Sequence, residues 1–179
     1  MKLSFNPQIQ RKGFTLIELL TVVAIIVVLM ALTVGLSRFA LERANKSKAR
    51  TQIALIGSKL EEYKADFGEF PPGTGARQSS NQLFIALYDQ PLQNGTKIYM
   101  PEFDPRASNQ FKIKERLILD PFRHKKPYYY LRGVDANGEQ NGSAFNPDFD
   151  LWSLGPNGKG RGDGGNTEKE TADDIANYE

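Results

Sequence analysis

The chain of 179 residues has no cysteine and a single histidine, His124. Without cysteine it has no disulfides and no thiolate ligands for zinc or haem, and one imidazole is too few for a histidine-based metal site. The 23 lysines and arginines nearly balance the 21 acidic residues, so the net charge of +2 gives no electrostatic reason to expect a nucleic-acid partner. The composition therefore argues against most hydrolytic enzymes and against nucleic-acid binding.

Charge is almost missing from residues 14–36, where Glu18 is the only charged residue among 23. As an α-helix with a rise of about 1.5 Å per residue, this segment reaches roughly 34 Å, which is enough to cross a hydrocarbon core of about 30 Å. The sequence therefore predicts a transmembrane helix over residues 14–36.

The preceding residues 1–13 contain Lys2, Arg11 and Lys12 but no acidic residue. Positive charge before a first span predicts that the leader stays in the cytoplasm and that the rest of the chain faces outward. No small-residue cleavage site of the secretory type follows Leu36. If the chain is cleaved, we expect the cut before the apolar segment, which leaves the helix attached.

Glu18 is an unusual residue in such a segment, because a carboxylate in lipid is costly. Two interpretations follow from its position. The carboxylate lies near the headgroups, one turn from Phe14, or it is buried and needs a cationic partner from another chain.

The run KGFTLIE at residues 12–18, followed by the apolar segment, resembles the class III signal of type IV pilins and type II secretion pseudopilins. The resemblance implies that a prepilin peptidase cleaves between Gly13 and Phe14 and methylates the new amino group. It also implies that this amino group pairs, during assembly, with Glu18 of a neighbouring subunit.

Beyond Leu36 the apolar residues become periodic, with spacings of four and three. The residues of this stripe are Ala49, Ile53, Ile56, Leu60, Tyr63 and Phe67. The spacing predicts that the helix continues as an amphipathic helix to Asp66 and ends at Gly68. We interpret the stripe as a core face, with a coiled-coil seam or a docking surface as the alternatives.

Residues 68–179 contain the signals of a small head with short elements. The predicted elements are a helix at 81–89, little regular structure at 90–118, strands at 128–132 and 148–154, and Asn-Gly turns at 137–138 and 141–142. One long helix followed by a small antiparallel sheet, with one sheet face buried against the helix, predicts an α+β fold.

Two segments of the head extend the resemblance. Asp-Pro-Phe at 120–122 with Pro-Tyr-Tyr-Tyr at 127–130, and Phe-Asp-Leu-Trp-Ser-Leu-Gly at 149–155, are similar to segments of the G pseudopilins of type II secretion. The similarity implies a type IV pilin-like fold, in which one long N-terminal helix packs on a small antiparallel sheet with a C-terminal ion-binding loop. It also implies a structural subunit, not an enzyme, that forms a homopolymer through its N-terminal helix.

The resemblance implies a division of the chain and a set of partners. The segments are a cleaved leader at 1–13, a membrane and fibre-core helix at 14–36, an amphipathic periplasmic half at 37–67 and a head at 68–179. The implied partners are minor pseudopilins, the prepilin peptidase and the inner-membrane secretion platform, with the head in the periplasm. A type IV pilin, a minor pseudopilin, and an uncleaved membrane-anchored binding module remain the alternative functions.

A glycine-rich loop precedes the acidic C-terminus. Six of the eleven residues from 155 to 165 are glycine, and six acidic residues follow Arg161. Clustered carboxylates beside flexible backbone suit a hard cation such as calcium, although the acid spacing of an EF-hand is absent. From the residues alone, a disordered acidic tail is an equally good interpretation.

In the G pseudopilins the loop after Ser-Leu-Gly binds calcium, and Asp-Asp-Ile closes the site. The resemblance therefore implies a calcium site formed by the carbonyl oxygens of Leu154 and Lys159, the side chain of Asn157, and the carboxylates of Asp173 and Asp174. Asn157 stands where an aspartate is usual. The segment from 161 to 172 is longer than the usual loop, which makes Asp163 an alternative ligand.

Overall fold

A computed structural model of the chain describes residues 13–106, 111–135, 137–162 and 171–178. The chain divides into two compact units, Met1–Ala40 and Leu41–Glu179. The helices are α1 (Leu16–Phe67), α2 (Ser79–Phe84), a π-helix (Ile85–Asp89), α3 (Gln90–Asn94) and a 3-10 turn (Pro101–Phe103). The strands are β1 (Lys112–Lys114), β2 (Leu117–Leu119), β3 (Tyr129–Arg132), β4 (Phe149–Ser153) and β5 (Ile175–Ala176).

The ends of α1 have clear chemical causes. At its start, Glu18 Oε2 accepts the Thr15 backbone N–H at 2.8 Å, and the Thr15 hydroxyl accepts the Glu18 N–H at 3.3 Å. These reciprocal bonds form a capping box, which satisfies amide groups that have no partner inside the helix. At its end, Gly68 has a φ of +82° and its N–H donates to the Lys64 carbonyl at 2.7 Å. The predicted end of the helix at Gly68 is confirmed.

The amphipathic stripe of α1 is part of the head core, as predicted. Its first four residues are at most 4% exposed: Ala49, Ile53, Ile56 and Leu60. The stripe ends before Phe67, whose side chain is 60% exposed. Phe67 instead packs on Tyr63, with ring centroids 4.4 Å apart, and the two rings lie beside Tyr99. The core face of the helix therefore stops about one turn before the helix does.

The sheet of the head has the strand order β3-β4-β5 and is antiparallel. Both predicted strands are present, with slightly shorter bounds than expected. The expected sheet face against the helix is present, because Tyr130 and Leu151 share a core cluster with Ile56. The opposite face is covered as well, since all five residues of β4 are buried. Tyr128 and Tyr130 point into the main core, whereas Tyr129 and Trp152 pack in a second cluster. Alternation along the strands supplies both clusters, because successive side chains point to opposite faces.

The region between α1 and β3 is more regular than the sequence predicted. The expected helix at 81–89 is α2 followed by the π-helix, and α3 extends it. The β1–β2 hairpin begins within the segment 90–118 and ends at Leu119, with Lys114 opposite Leu117. Its turn residues Glu115 and Arg116 have φ values of 55° and 62°. Such tight turns usually carry asparagine and glycine at these positions, so the sequence contained no turn signal here.

Candidate functional site

The start of α1 brings together three of the predicted functional residues. Gly13 and Phe14 precede the helix, and the Phe14 side chain is 85% exposed. Glu18 lies in the first turn, where its Oε2 atom accepts hydrogen bonds of 2.8 Å from both the backbone N–H and the hydroxyl of Thr15. Sequence reasoning missed Thr15, although Thr-x-x-Glu is the sequence pattern of a capping box. The leader residues Lys2, Arg11 and Lys12 lie outside the described residues.

The first unit exposes its apolar side chains. Leu20 and Leu32 are 58% and 60% exposed, and the other large apolar residues from Phe14 to Leu32 are similarly exposed. Among the residues that the structure describes, no helix combines the length and apolarity required to span a membrane.

The C-terminal loop brings together the residues predicted to bind calcium. The Asn157 backbone N–H donates to Asp173 Oδ2 at 2.9 Å, and the Asn157 side-chain amide donates to Asp173 Oδ1. The Lys159 N–H donates to Asn157 Oδ1 at 2.6 Å. Leu154 directly follows β4, and its side chain is fully buried. The turn 154–159 therefore lies directly against the segment that carries Asp173.

Asp174 lies on the other side of the same loop. Its residue is 8% exposed, and its Oδ2 atom accepts the Arg161 backbone N–H at 3.3 Å. A Cβ atom at Gly160 would lie 2.2 Å from Asp174 Oδ1, so the loop can approach the carboxylate this closely only because residue 160 is glycine. Gly155 has a φ of +64°, and a Cβ there would lie 2.0 Å from the Asp173 carbonyl oxygen. Glycine at these two positions creates a cradle around adjacent carboxylates.

The donor atoms of this cradle suit a hard cation. Calcium binds carboxylate, amide and backbone carbonyl oxygens in an irregular shell. Across the described ranges, no group of three or more histidine, cysteine or acidic side chains is arranged to hold a metal. The set named from the resemblance contains only two such side chains, Asp173 and Asp174, so amide and carbonyl oxygens would have to complete it. Asp163, the alternative ligand, lies outside the described residues.

A second buried carboxylate lies beneath the base of the loop. Asp120 is 1% exposed, and its Oδ2 atom accepts a hydrogen bond of 2.8 Å from the Ser153 hydroxyl. Ser153 Oγ in turn accepts the Gly155 N–H at 3.2 Å. Burial raises the pKa of Asp120 to about 6, and the hydrogen bond from Ser153 opposes this rise. The sequence showed Asp120 only as part of an Asp-Pro-Phe segment and contained no sign of its burial.

Arg161 is another residue that sequence reasoning missed. Its Nη1 atom lies 2.7 Å from Oδ2 of the buried Asp150. Trp152 Nε1 donates to the Arg161 carbonyl at 2.8 Å, so side chain and backbone of Arg161 both contact β4. In the sequence Arg161 is one charged residue within a glycine-rich segment, with no local pattern that indicates a buried partner.

Comparison with known families first defines the class of protein. Residues 10–34, which include Gly13, Phe14 and Glu18, match the family described as prokaryotic N-terminal methylation motif. This match agrees with the resemblance to the pilin and pseudopilin signal.

Residues 39–172 match the family described as Type II secretion system (T2SS), protein G. The chain is 33% identical to the type II secretion system core protein G of Pseudomonas aeruginosa over 84% of this chain and 87% of that protein. It is 30% identical to the core protein G of Escherichia coli K12 over 94% of this chain and 92% of that protein. The chain therefore belongs to the type II secretion system protein G family, and the predictions of a pseudopilin and of an α+β, pilin-like fold are confirmed.

Proposed function

We propose that the chain is a structural subunit of the type II secretion pseudopilus, polymerises through its N-terminal helix and performs no catalytic step. The observation that carries this proposal is the exposed apolar surface of residues 14–32, where Ile25 and Val28 are 60% and 59% exposed. An apolar surface of this size is unfavourable in water. It therefore requires lipid before assembly and the helices of neighbouring subunits afterwards.

Processing by a prepilin peptidase between Gly13 and Phe14 is part of the proposal. The peptide bond between them precedes the first residue of α1, and a Cβ atom at Gly13 would meet nothing within 4 Å. A protease needs an accessible and extended segment, which glycine adopts readily. Cleavage here would expose the amino group of Phe14 one turn from Glu18.

Intact-mass analysis of the full chain, purified from membranes of a host that contains a prepilin peptidase, tests this step. We expect the wild-type chain to begin at a methylated Phe14. Gly13→Val is expected to keep the leader, whereas Gly142→Val, at another glycine without close neighbours, is expected to be processed normally. A wild-type chain that still begins at Met1 would contradict the proposal and favour an uncleaved membrane anchor.

Glu18 is the proposed assembly residue. Within one chain its carboxylate is held by Thr15, at the end of the helix where backbone amides favour negative charge. The new amino group of a neighbouring subunit is positively charged at neutral pH. In a water-poor bundle of helices, two charges without partners are costly, and pairing them between subunits favours a single register.

The location and partners follow from the same proposal. We propose that residues 14–36 lie in the bacterial inner membrane and that the head, residues 68–179, faces the periplasm. The basic leader supports this orientation, because cytoplasmic flanks are enriched in lysine and arginine. Minor pseudopilins and the inner-membrane secretion platform are the proposed assembly partners.

Calcium is the proposed ligand of the C-terminal loop. Leu154 and Lys159 would contribute carbonyl oxygens, Asn157 its side-chain oxygen, and Asp173 and Asp174 their carboxylates. Support comes from the proximity of Asn157 to Asp173 and from the cradle at Gly160. When bound, calcium would supply positive charge between carboxylates that otherwise repel one another.

Titration calorimetry of the full chain in detergent micelles, after removal of metal with chelator, tests calcium binding. We expect the wild-type chain to release or absorb heat with calcium and to gain thermal stability, because calcium binds only the folded loop. Asp174→Asn is expected to lose both effects, and Glu139→Gln, an exposed acidic residue, is expected to keep them. Absence of heat and of a thermal shift in the wild-type chain would contradict the site.

A further inference from the structure

Asp150 is a charged residue inside the head. Its side chain is 0% exposed. Its carboxylate accepts the backbone N–H groups of Phe145 and Asn146, each at 2.9 Å. Backbone donors offset part of the cost of burying a carboxylate, and pairing with an opposite charge offsets more of it. The positive charge comes from Arg161, whose Nη1 atom lies 2.7 Å from Asp150 Oδ2.

The guanidinium of Arg161 is enclosed by aromatic rings. Its central carbon lies 4.5 Å from the ring centre of Phe145, 4.7 Å from that of Trp152 and 5.7 Å from that of Tyr178. The Nη2 atom also donates to the Ser143 carbonyl. Cations over aromatic faces are stabilised, most strongly where water is excluded. The Arg161 side chain therefore holds together β4, the 143–146 segment and the C-terminal segment.

The backbone of Arg161 makes contacts of its own. Its N–H donates to Asp174 Oδ2 at 3.3 Å, and its carbonyl accepts Trp152 Nε1 at 2.8 Å. The next residue, Gly162, has a φ of +95°, and a Cβ there would lie 2.9 Å from the Gly75 carbonyl oxygen. Arg161 thus links a ligand of the proposed cation site directly to the sheet.

We propose that Arg161 is a positioning residue that closes the C-terminal loop with a positive charge supplied by the chain itself. Its contacts hold residues 155–161 against Asp174 and β4 without any bound cation. The closed conformation of the loop is argued from these contacts alone. It also implies that the calcium ligands are already assembled before calcium binds, and this second statement rests on the proposed function.

The composition of the loop explains why it needs an anchor such as Arg161 to hold one conformation. Four of the eight residues from 155 to 162 are glycine, and ordering glycine costs more conformational entropy than ordering other residues. A loop of this kind is not expected to hold one conformation without strong anchors. The ion pair with the buried Asp150 and the surrounding rings provide such an anchor. Removing calcium is therefore not expected to open the loop.

Trp152 provides a local reporter, because it is the only tryptophan in the chain and contacts Arg161 through both its ring and its Nε1 atom. The experiment measures acrylamide quenching of its fluorescence in the full chain, in detergent micelles, with EDTA or with calcium. We expect equal quenching of the wild-type chain in both conditions. In EDTA, Arg161→Ala is expected to raise the quenching constant by about threefold or more, because acrylamide reaches a covered ring only when its cover opens.

Two further variants sharpen the test. Arg161→Lys keeps the charge but loses the planar fork, and it is expected to give intermediate quenching. Arg123→Ala removes an exposed arginine and is expected to behave as wild type. If Arg161→Ala fails to fold by circular dichroism, Arg161→Lys in EDTA decides: a quenching constant above that of the wild-type chain supports closure by Arg161, and an equal one contradicts it.

The outcomes separate this proposal from the calcium proposal. Wild-type quenching in EDTA well above that in calcium would overturn closure by Arg161, as would unchanged quenching in Arg161→Ala. If calcium gives no calorimetric heat but Arg161→Ala opens the loop, closure is supported and only the calcium site fails. If calcium gives heat but Arg161→Ala leaves Trp152 as protected as in wild type, the positioning role fails and the calcium site stands.

Discussion

The two units of the chain are both rich in apolar residues, but they differ in how far these side chains are exposed. In the first unit Ile25 and Leu32 are each 60% exposed, whereas in the second unit Ile56 and Leu60 are fully buried. These residues all belong to α1, so neither helix formation nor residue type explains the difference. The apolar content of a segment therefore does not predict whether its side chains are buried by other residues of the same chain.

The pattern of apolar residues explains the difference. Around Ile56 they recur every three or four positions and form one face, which a small sheet can cover. Around Ile25 they occupy every side of the helix, and a helix that is apolar all round needs an apolar environment on all sides. The apolar face around Ile56 is covered by other residues of the same chain. The apolar residues around Ile25 are proposed to be covered by lipid or by other subunits.

Neutralising Glu18 is expected to have the largest effect on assembly. Glu18→Gln keeps the size of the side chain but removes the charge that would pair with the amine of a neighbouring subunit. We expect the assembled fraction, measured by cross-linking in membranes, to fall by at least about tenfold, equivalent to one decade in an association constant. The melting temperature of the head is expected to stay unchanged.

Glu42→Gln is the matched control, because Glu42 is an exposed acidic residue of α1 whose carboxylate lies 3.4 Å from Lys46 Nζ of the same helix. Assembly of this variant is expected to equal that of wild type. Efficient assembly of Glu18→Gln would remove the ion pair from the proposed mechanism.

Two isoleucine-to-alanine variants, one in each unit, test whether the stability of the head depends on residues of the second unit and not on those of the first. Ile56→Ala creates a cavity in the head core and is expected to lower the free energy of unfolding by about 2–5 kcal/mol. Ile25→Ala changes a residue that is 60% exposed and is expected to leave the unfolding of the head unchanged. Urea denaturation of the full chain in detergent micelles, followed by Trp152 fluorescence, measures both. Equal losses in the two variants would contradict the separation.

The pH dependence of the head is expected to contain a contribution from Asp120. Burial raises the pKa of this carboxyl to about 6 in the folded state, above the ordinary value of about 3.9 in the unfolded chain. The folded state therefore binds the proton more tightly, and the stabilisation is complete below about pH 4 and is lost as the pH rises through 6. The contribution is on the order of 3 kcal/mol.

Asp120→Asn isolates this contribution, because all other titrating groups are shared with the wild-type chain. In EDTA, the unfolding free energy of the wild-type chain minus that of the variant is expected to decrease between pH 4 and pH 7. A difference that is constant over this range would show that Asp120 titrates normally.

The smallest expected effect comes from the loop. Gly160→Ala places a Cβ atom where Asp174 Oδ1 lies, so the carboxylate or the loop must move. We expect a loss of about 1–3 kcal/mol of unfolding free energy, together with weaker calcium binding in calorimetry. Gly142→Ala is the control, since a Cβ there meets nothing within 4 Å. Unchanged calcium affinity in Gly160→Ala would place the cation away from Asp174.

Sequence patterns were sufficient to predict the elements that depend on residues close together in the chain. The long helix, its end at Gly68 and the two strands around Tyr130 and Leu151 follow from periodicity and from helix-ending residues. The proximity of Asn157 to Asp173 followed only from resemblance to a family. No local rule relates two residues that are 16 positions apart and separated by a glycine-rich segment.

Other features had no sequence signal. The β1–β2 hairpin turns at Glu115 and Arg116, which adopt positive φ values without the usual glycine or asparagine. Arg116 Nη2 lies 3.2 Å from Asp89 Oδ2, a contact that pairs the turn with the π-helix. Tertiary contacts of this kind can outweigh local preference, because the left-handed conformation costs a non-glycine residue only about 1–2 kcal/mol.

By itself, the sequence determined the class of the protein: its methylation signal, its all-round apolar segment and the single apolar face beyond it depend on order along the chain. Only the tertiary structure decided which charges are buried and what they contact. Asp150 and Arg161 pair at 2.7 Å inside a cage of aromatic rings, and Asp120 lies beneath the loop. Burial of a charge depends on what packs around it from distant parts of the chain, and local sequence does not contain that information.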